Sequence, residues 1–318
     1  MTARVVVLKP LRPAALAILR ARPETEVRVI ADPTPDAVAA ALPGARALCI
    51  RNTPLPEAAL AAMPDLRVVS KHGVGLDNLP MAALTARGIP VATVGGTNAS
   101  AVAEHALMLM LALARRLPQY QARARAGGYV IDPDWPTVEL RGRRLLLIGL
   151  GRIGSGVARL ARAFGMEVTA YDPAAPSIEG VSRADDLTEA LGGADIVSLH
   201  LPLTGETARL VDARFLATMR DGAMLVNTAR GELVDEAALL DALRSGRLAG
   251  AALDVLEREP PDPANPLLSE PRAIVTPHVA ALTEQTADEM ARLTAQNAVD
   301  GLDGRLDRAL VANPEVLP

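Results

Sequence analysis

An α/β protein with two doubly wound parallel sheets is the fold this sequence predicts. Three observations carry the expectation. Short apolar runs alternate with Ala/Leu-rich helical patterns from the N-terminus onward, the pattern of a parallel sheet covered by helices. A glycine-rich turn, Gly149-x-Gly151-x-x-Gly154, directly follows one of those runs. The length, 318 residues, suits about two domains of ordinary size.

The strand candidates before the glycine turn are Val5–Leu8, Val27–Ile30, Ala47–Ile50, Val68–Ser70 and Pro90–Val94. Helical patterns at Ala14–Arg20, Asp36–Leu42, Glu57–Met63 and Met81–Arg87 separate them. Residues Asn98–Leu117 read as one long helix that Asn98 or Ser100 can cap. It is apolar nearly all round, so it should be buried between domains or subunits. Pro118–Leu140 reads as irregular and carries the single tryptophan, Trp135. Further strands are expected at Ile196–Leu199, Met224–Asn227, Ala251–Leu253 and Ala273–Val275. From Thr283 the tail is helical and could cross back to the first domain. The expected division is 1–98 plus 284–318 as one domain and 99–283 as the other.

Leu145–Asp172 is the most specific stretch. An apolar run, Leu145–Ile148, feeds the glycine turn. Val157, Ala158, Leu160, Ala161 and Phe164 then have the spacing of a buried helix face, and a second apolar run, Met166–Tyr171, ends on Asp172. Strand, glycine turn, helix, strand and acid in that order form the fingerprint of a dinucleotide-binding unit, a Rossmann domain. Gly149 permits the turn, Gly151 lets the backbone approach a pyrophosphate, and Gly154 lets helix and strand pack closely. The helix N-terminus offers free N–H groups to the anion. Asp172 can accept bonds from the ribose hydroxyls and would repel a 2′-phosphate, so NAD is expected rather than NADP.

Composition bounds the partners. Hydrophobic residues make up 50% and aromatics only 2%, so the core is built of Ala, Leu and Val. The formal charge of −4 argues against a nucleic-acid partner, which calls for a basic face. One cysteine, Cys49, cannot form an internal disulfide and fits a reducing compartment. The most membrane-like segment, Ala101–Leu117, is too short and too charged to span a bilayer. No signal-peptide core opens the sequence. The expectation is a cytoplasmic protein without metal.

Three more clusters fall at expected strand ends, where open parallel sheets bind ligands. They are Val226-Asn227-Thr228-Ala229-Arg230-Gly231, Ala252–Pro260 with Asp254, Glu257 and Glu259, and Val275-Thr276-Pro277-His278. Singly, each has an ordinary explanation: a surface arginine beside a turn, a solvated acidic loop, a structural histidine. Together they supply what hydride transfer to a carbonyl needs. Arg230 can fork onto a carboxylate, His278 can move a proton, and Glu259 can partner the histidine.

The chain resembles the D-isomer-specific 2-hydroxyacid dehydrogenases, most closely the branch of D-3-phosphoglycerate dehydrogenase and hydroxypyruvate or glyoxylate reductases. The motifs LRVVSKHGVGLDNL, GTNASAVAEHALMLML, LLLIGLGRIG, VSLHLPLTGETARLV, LVNTARGELVDEAALLDALRSGRLAGAALDVLEREP and IVTPHVA follow one another in the family's order. The resemblance implies a flavodoxin-like substrate domain, discontinuous around an inserted Rossmann domain, with the active site in the cleft between them. It implies interconversion of a D-2-hydroxy acid and its 2-keto acid. Arg230, Glu259 and His278 take the catalytic roles. Cofactor contacts are implied at Gly149, Gly151, Arg152, Ile153, Gly154, Asp172, His200, Pro202, Thr207, Thr228, Ala229, Arg230, Asp254, His278 and Ala280. Substrate contacts are implied at Arg51, Lys71, His72, Gly73, Val74, Gly75 and Arg230, the glycines letting backbone N–H groups meet a carboxylate. A homodimer built around Ala101–Leu117 is implied as well, and Trp135 of the partner subunit is a further candidate for the pocket.

Val279-Ala280-Ala281 follows His278 where many relatives have a glycine. The sequence ends at Pro318, and the expectation is a chain without an appended regulatory domain or the serine feedback one confers. Arg51 and Lys71 offer two cations for a phosphorylated substrate, without a longer basic cluster. Of the four histidines, His105 is expected to be a packed or interface residue, His200 to line the cofactor pocket and His72 to face substrate. Two other readings stand beside the dehydrogenase. Glu259 argues against formate oxidation, whose branch pairs the histidine with glutamine. An NADH-sensing corepressor-like protein would keep the same residues.

Overall fold

The computed structural model describes residues 2–129 and 136–318, so Trp135 lies outside the described residues. The chain forms two compact units, Met1–Asn98 with Leu282–Pro318, and Ala99–Ala281.

The first unit opens with β1 (Ala3–Leu8), α1 (Pro13–Ala21), β2 (Thr25–Ile30), α2 (Pro35–Ala41), β3 (Ala45–Ile50), β4 (Val68–Lys71), α3 (Met81–Ala86) and β5 (Val91–Ala92). The five strands form one parallel sheet in the order β2-β1-β3-β4-β5, the flavodoxin-like order. Its inner strands β1, β3 and β4 are largely apolar because both faces are buried. Val5 and Val7 of β1 pack with Ala47 and Cys49 of β3 on one face, and Val6 and Leu8 with Leu48 and Ile50 on the other. Burial pushes the Cys49 thiol up to about 12, so it is an inert core residue. Glu57–Ala62, expected as an ordinary helix, is a 3-10 helix instead. Pro56 precedes it and Pro64 follows, and the residue before a proline is driven out of the α region; Met63 sits at φ −124°.

The second unit contains α4 (Ala99–Ala114), α5 (Leu117–Arg125), β6 (Arg144–Ile148), α6 (Arg152–Ala163), β7 (Glu167–Tyr171), β8 (Ser182–Arg183), α7 (Leu187–Gly193), β9 (Ile196–Leu199), α8 (Ala213–Thr218), β10 (Ala223–Asn227), α9 (Glu236–Arg244), β11 (Leu248–Leu253) and β12 (Ala273–Val275). Its seven parallel strands run β12-β11-β10-β9-β6-β7-β8. The order reverses between β6 and β9, the switch point at which such sheets bind nucleotides.

Three expectations are corrected here. The helix expected over Asn98–Leu117 ends at Ala114, and Arg116 turns left-handed at φ 52° before a separate helix, α5. Pro118 cannot continue α4, because its ring would meet the carbonyl one turn back, but it is tolerated in a first turn. For the same reason Pro118–Leu140 is not all irregular. Much of α4, expected to be buried between domains or subunits, is covered within its own unit. The helix packs on α6, β10 and β11, and Met108 is its large apolar residue left exposed, at 46%. No helix among the described residues is long and apolar enough to cross a membrane.

The tail starts at Thr283, whose hydroxyl caps α10 (Glu284–Asp303) by accepting the Thr286 N–H. In the first unit α10 packs against α1, β3 and β4. Residues 310–313 then cover the edge of the sheet. Ala312 N–H donates to Val91 O and Thr93 N–H to Leu310 O. Asn313, buried, accepts the Val91 N–H at 2.8 Å and donates to Ile89 O and Thr85 Oγ1 at 3.0 Å each. This one side chain closes an edge strand that would otherwise expose its backbone. Asn313→Ala strands a buried N–H and a buried carbonyl, so it should cost about 2–4 kcal/mol. Urea denaturation checks this; an unchanged midpoint would refute the role of Asn313 as the edge clamp.

Candidate active site and nucleotide-binding loop

The glycine loop is shaped by contact between backbones. Gly149 follows β6 at φ 97°, and a Cβ there would lie 2.5 Å from His200 O at the end of β9. A Cβ on Gly154 would lie 2.2 Å from Gly149 O. Gly151, by contrast, has no atom within 4 Å of an added Cβ, and it stands at the N-cap of α6 with no side chain bonding the helix's first N–H groups. The loop is therefore locked on its inner side and open where an anion would meet the helix N-terminus. Two buried polar atoms without a partner among the described residues lie at neighbouring strand ends, His200 Nδ1 after β9 and Thr228 Oγ1 after β10. An open helix terminus and orphaned polar atoms at the switch point fit a dinucleotide.

Asp172 stands at the end of β7, and its part is wider than the sequence indicated. Its Oδ2 accepts the Leu150 N–H of the glycine loop at 2.8 Å, and Oδ1 accepts the N–H groups of Ala174 and Ala175. These bonds, the Leu150 one foremost, hold the carboxyl below its usual range, so its negative charge is firm. Of a carboxylate's roughly four acceptor positions, three are used by the chain, leaving one on Oδ2. Arg183 braces the same loop by donating to Pro173 O and Ala175 O.

The three catalytic candidates follow β10, β11 and β12, which are neighbours in the sheet. His278 Nδ1 lies 2.6 Å from Glu259 Oε2, with side-chain exposures of 36% and 34%. Glu259 Oε1 accepts the Leu256 N–H, and the Glu259–Pro260 peptide is cis. Arg230 donates to Ala229 O, and its backbone is stapled by Asn227, which donates to Arg230 O and accepts the Ala229 N–H. The next residue must be glycine, because a Cβ on Gly231 would lie 1.9 Å from the Leu256 backbone. That contact locks the arginine loop to the loop carrying Glu259. Glu236 supports the same loop by accepting the Glu257 N–H and an Asn265 amide proton at 2.7 Å each.

Asp254 was expected as a cofactor contact. It is 1% exposed, and both carboxylate oxygens are taken within the chain, by Thr276 Oγ1 and by the Val279 and Ala280 N–H groups. His105, expected to be a packing residue, reaches the same cluster, with Nε2 at 3.2 Å from Thr276 Oγ1. Asn227 and Thr276 stood in the strand-end clusters of the sequence without a role of their own, and Glu236 was not singled out. An Asn before a turn was a usable signal for the first.

The first unit gathers the substrate candidates at the ends of β3 and β4. Lys71 is 3% exposed and donates to Arg51 O at 2.5 Å and Asn78 Oδ1 at 2.6 Å. It works as an internal strut, which corrects its reading as a cation for a phosphate. Burial first, then the charges of Arg51 and Lys71, pushes His72 down to about 4. Gly73 has φ 144°, open to glycine alone. Among the described residues no group of three or more His, Cys, Asp or Glu side chains is placed to hold a metal ion.

Residues 107–280 match the NAD-binding domain of the D-isomer specific 2-hydroxyacid dehydrogenases. A D-3-phosphoglycerate dehydrogenase of Archaeoglobus fulgidus is 39% identical over 79% of this chain and 48% of its own length. The chain thus spans about half the length of the curated relatives it matches first. Among solved structures, an NADPH-dependent glyoxylate/hydroxypyruvate reductase of Sinorhizobium meliloti, in complex with NADP and malonate, is 31% identical with a TM-score of 0.85, covering 95% of this chain and 94% of that one. A D-lactate dehydrogenase of Aquifex aeolicus, complexed with NAD and lactic acid, is 27% identical with a TM-score of 0.89, covering 97% and 99%. The chain belongs to the D-isomer-specific 2-hydroxyacid dehydrogenase family.

Burial also pushes His200 down to about 4. With an unfolded value near 6.5, the unfolded chain binds more protons than the folded one between about pH 6.5 and 4. The stability of keeping His200 and His72 neutral is complete above that window and falls as the pH drops through it. Denaturation midpoints measured from pH 7 to 4.5 should fall, and fall less in His200→Gln. An equal slope in that variant would contradict neutral burial.

Proposed function

We propose that this chain is an NAD-dependent oxidoreductase interconverting a D-2-hydroxy acid and its 2-keto acid. The single observation that carries the proposal is the 2.6 Å His278–Glu259 pair beside the locked Arg230 loop. A bound nicotinamide supplies or accepts the hydride. The chain's own residues do the rest. Glu259 occupies Nδ1 of His278, which leaves Nε2 to exchange a proton with the substrate oxygen. In reduction the imidazolium gives its proton to the forming hydroxyl; in oxidation the neutral ring removes it. Arg230 is the cation for the substrate's carboxylate and carbonyl.

NAD is the preferred cofactor in this reading, supported by the firmly ionised Asp172. An unphosphorylated substrate is favoured, because Lys71 is already committed. Arg51 and the Gly73 backbone are then the groups for a carboxylate. The test is NADH or NADPH oxidation with glyoxylate, hydroxypyruvate, phosphohydroxypyruvate and pyruvate. NADH should outperform NADPH, and His278→Ala should lose about 10²–10⁴-fold in kcat while still binding NADH. Near wild-type turnover in that variant would remove His278 from the role. NADH binding with no turnover of any keto acid by the wild type would favour a sensing protein.

We also propose a homodimer seamed along α4 and α5, where Met108 and Leu117 are exposed apolar residues. Light scattering at micromolar concentration should give twice the 33.2 kDa chain mass, and a monomer mass would refute it.

A further inference from the structure

His278 is held in an uncommon backbone state. Its φ is 53°, a left-handed conformation that is unfavourable for a non-glycine residue. The cost must be offset locally, and the structure shows where. Asp254 holds the turn from both sides. Its backbone carbonyl accepts the His278 N–H at 2.8 Å, and its carboxylate accepts the N–H groups of Val279 and Ala280 at 2.9 and 2.8 Å. A buried carboxylate of this kind is stable only with a full set of donors. The remaining donor is Thr276, whose Oγ1 lies 2.5 Å from Asp254 Oδ1.

A threonine hydroxyl carries one proton. At this separation, in the range of a charge-assisted O–H···O⁻ bond, that proton points at the carboxylate. The Thr276 oxygen therefore presents a lone pair to its other neighbour, His105 Nε2 at 3.2 Å. The nitrogen must then be the donor, which sets the His105 tautomer as Nε2–H. His105 Nε2 is also 3.5 Å from Asp254 Oδ1. Donation runs from His105 on α4 through Thr276 to Asp254, and from the other side the N–H groups of the turn that bears His278 donate to the same residue. The four residues are spread over 174 positions of sequence, and all belong to the second unit.

We infer that His105 and Thr276 are positioning residues for His278, acting through Asp254. The inference rests on the reading of His278 as the acid/base group. Without the Thr276 hydroxyl, Asp254 Oδ1 lacks a donor and the left-handed turn loses its anchor. The imidazole then drifts from Glu259. Without His105, the hydroxyl is free to rotate away from the carboxylate.

The experiment uses the full chain and the keto acid with the highest wild-type rate among the four named above. Wild type and His278→Ala come first, because equal rates there would sink the acid/base reading by itself. With that reading standing, Thr276→Val, which keeps the side-chain shape, and His105→Leu should each lower kcat about 10–100-fold, the usual range for a residue supporting a reacting group. KM and the NADH dissociation constant should change less than about threefold, because the defect lies in proton transfer. Thr276→Ser and His105→Gln, which restore the hydroxyl and the N–H donor, should recover most of the loss. In a His278→Ala background neither Thr276→Val nor His105→Leu should reduce the residual rate further. A second readout needs no cofactor: modification of His278 by diethylpyrocarbonate should quicken in the Val and Leu variants and stay at the wild-type rate in Thr276→Ser. Unchanged kcat in both Thr276→Val and His105→Leu overturns the inference. So does a loss that persists in the His278→Ala background, or one that follows NADH affinity and melting temperature, since either would mark a general packing role.

Discussion

The functional end of the second unit depends on backbone touching backbone where parallel strands end. Gly149 lies against the His200 carbonyl, Gly154 against the Gly149 carbonyl and Gly231 against the Leu256 backbone. A side chain at any of the three would force apart the segments that carry chemistry. The first two contacts shape the loop that faces an anion. The third fixes Arg230 relative to the loop of Glu259. Parallel strands make this possible, because their carboxyl ends emerge side by side and each delivers one polar residue.

That geometry explains which parts of the site the sequence could disclose. The glycines, Asp172, Arg230, Glu259 and His278 sit in motifs whose residue types already name a task. Asn227, Thr276 and the Asp254 cluster do not, because their partners come from neighbouring strands. Register decides them: Leu253 pairs with Val275, so Asp254 and Thr276 emerge together one residue later, and Asn227 pairs with Leu253. A sequence reading that committed to strand order could have placed Asp254 beside Thr276. His105 could not be found that way, since its approach depends on how α4 crosses the sheet.

The fold was legible for a related reason. The central strands of both sheets are buried on both faces, so they read as apolar runs bounded by turn residues. What escaped were elements set by local chain stiffness rather than by burial. The 3-10 segment at Glu57–Ala62 lies between prolines, α5 carries one in its first turn, and β8 is a two-residue edge strand with both residues exposed. Apolar periodicity carries no signal for any of the three.

The histidines show how environment sorts identical side chains. His200 is buried with one nitrogen on Ser198 Oγ and the other without a partner, and His72 is half-buried facing two cations. Both are pushed to about 4 and stay neutral where enzymes work. Burial thus favours the neutral ring at both positions. His105 spends Nε2 on a hydroxyl whose proton already belongs to Asp254. His278 differs from all three, with a carboxylate on one nitrogen and a third of its side chain open to solvent. The proposed acid/base role rests on that combination, a carboxylate to orient the ring and a side chain that a substrate can reach.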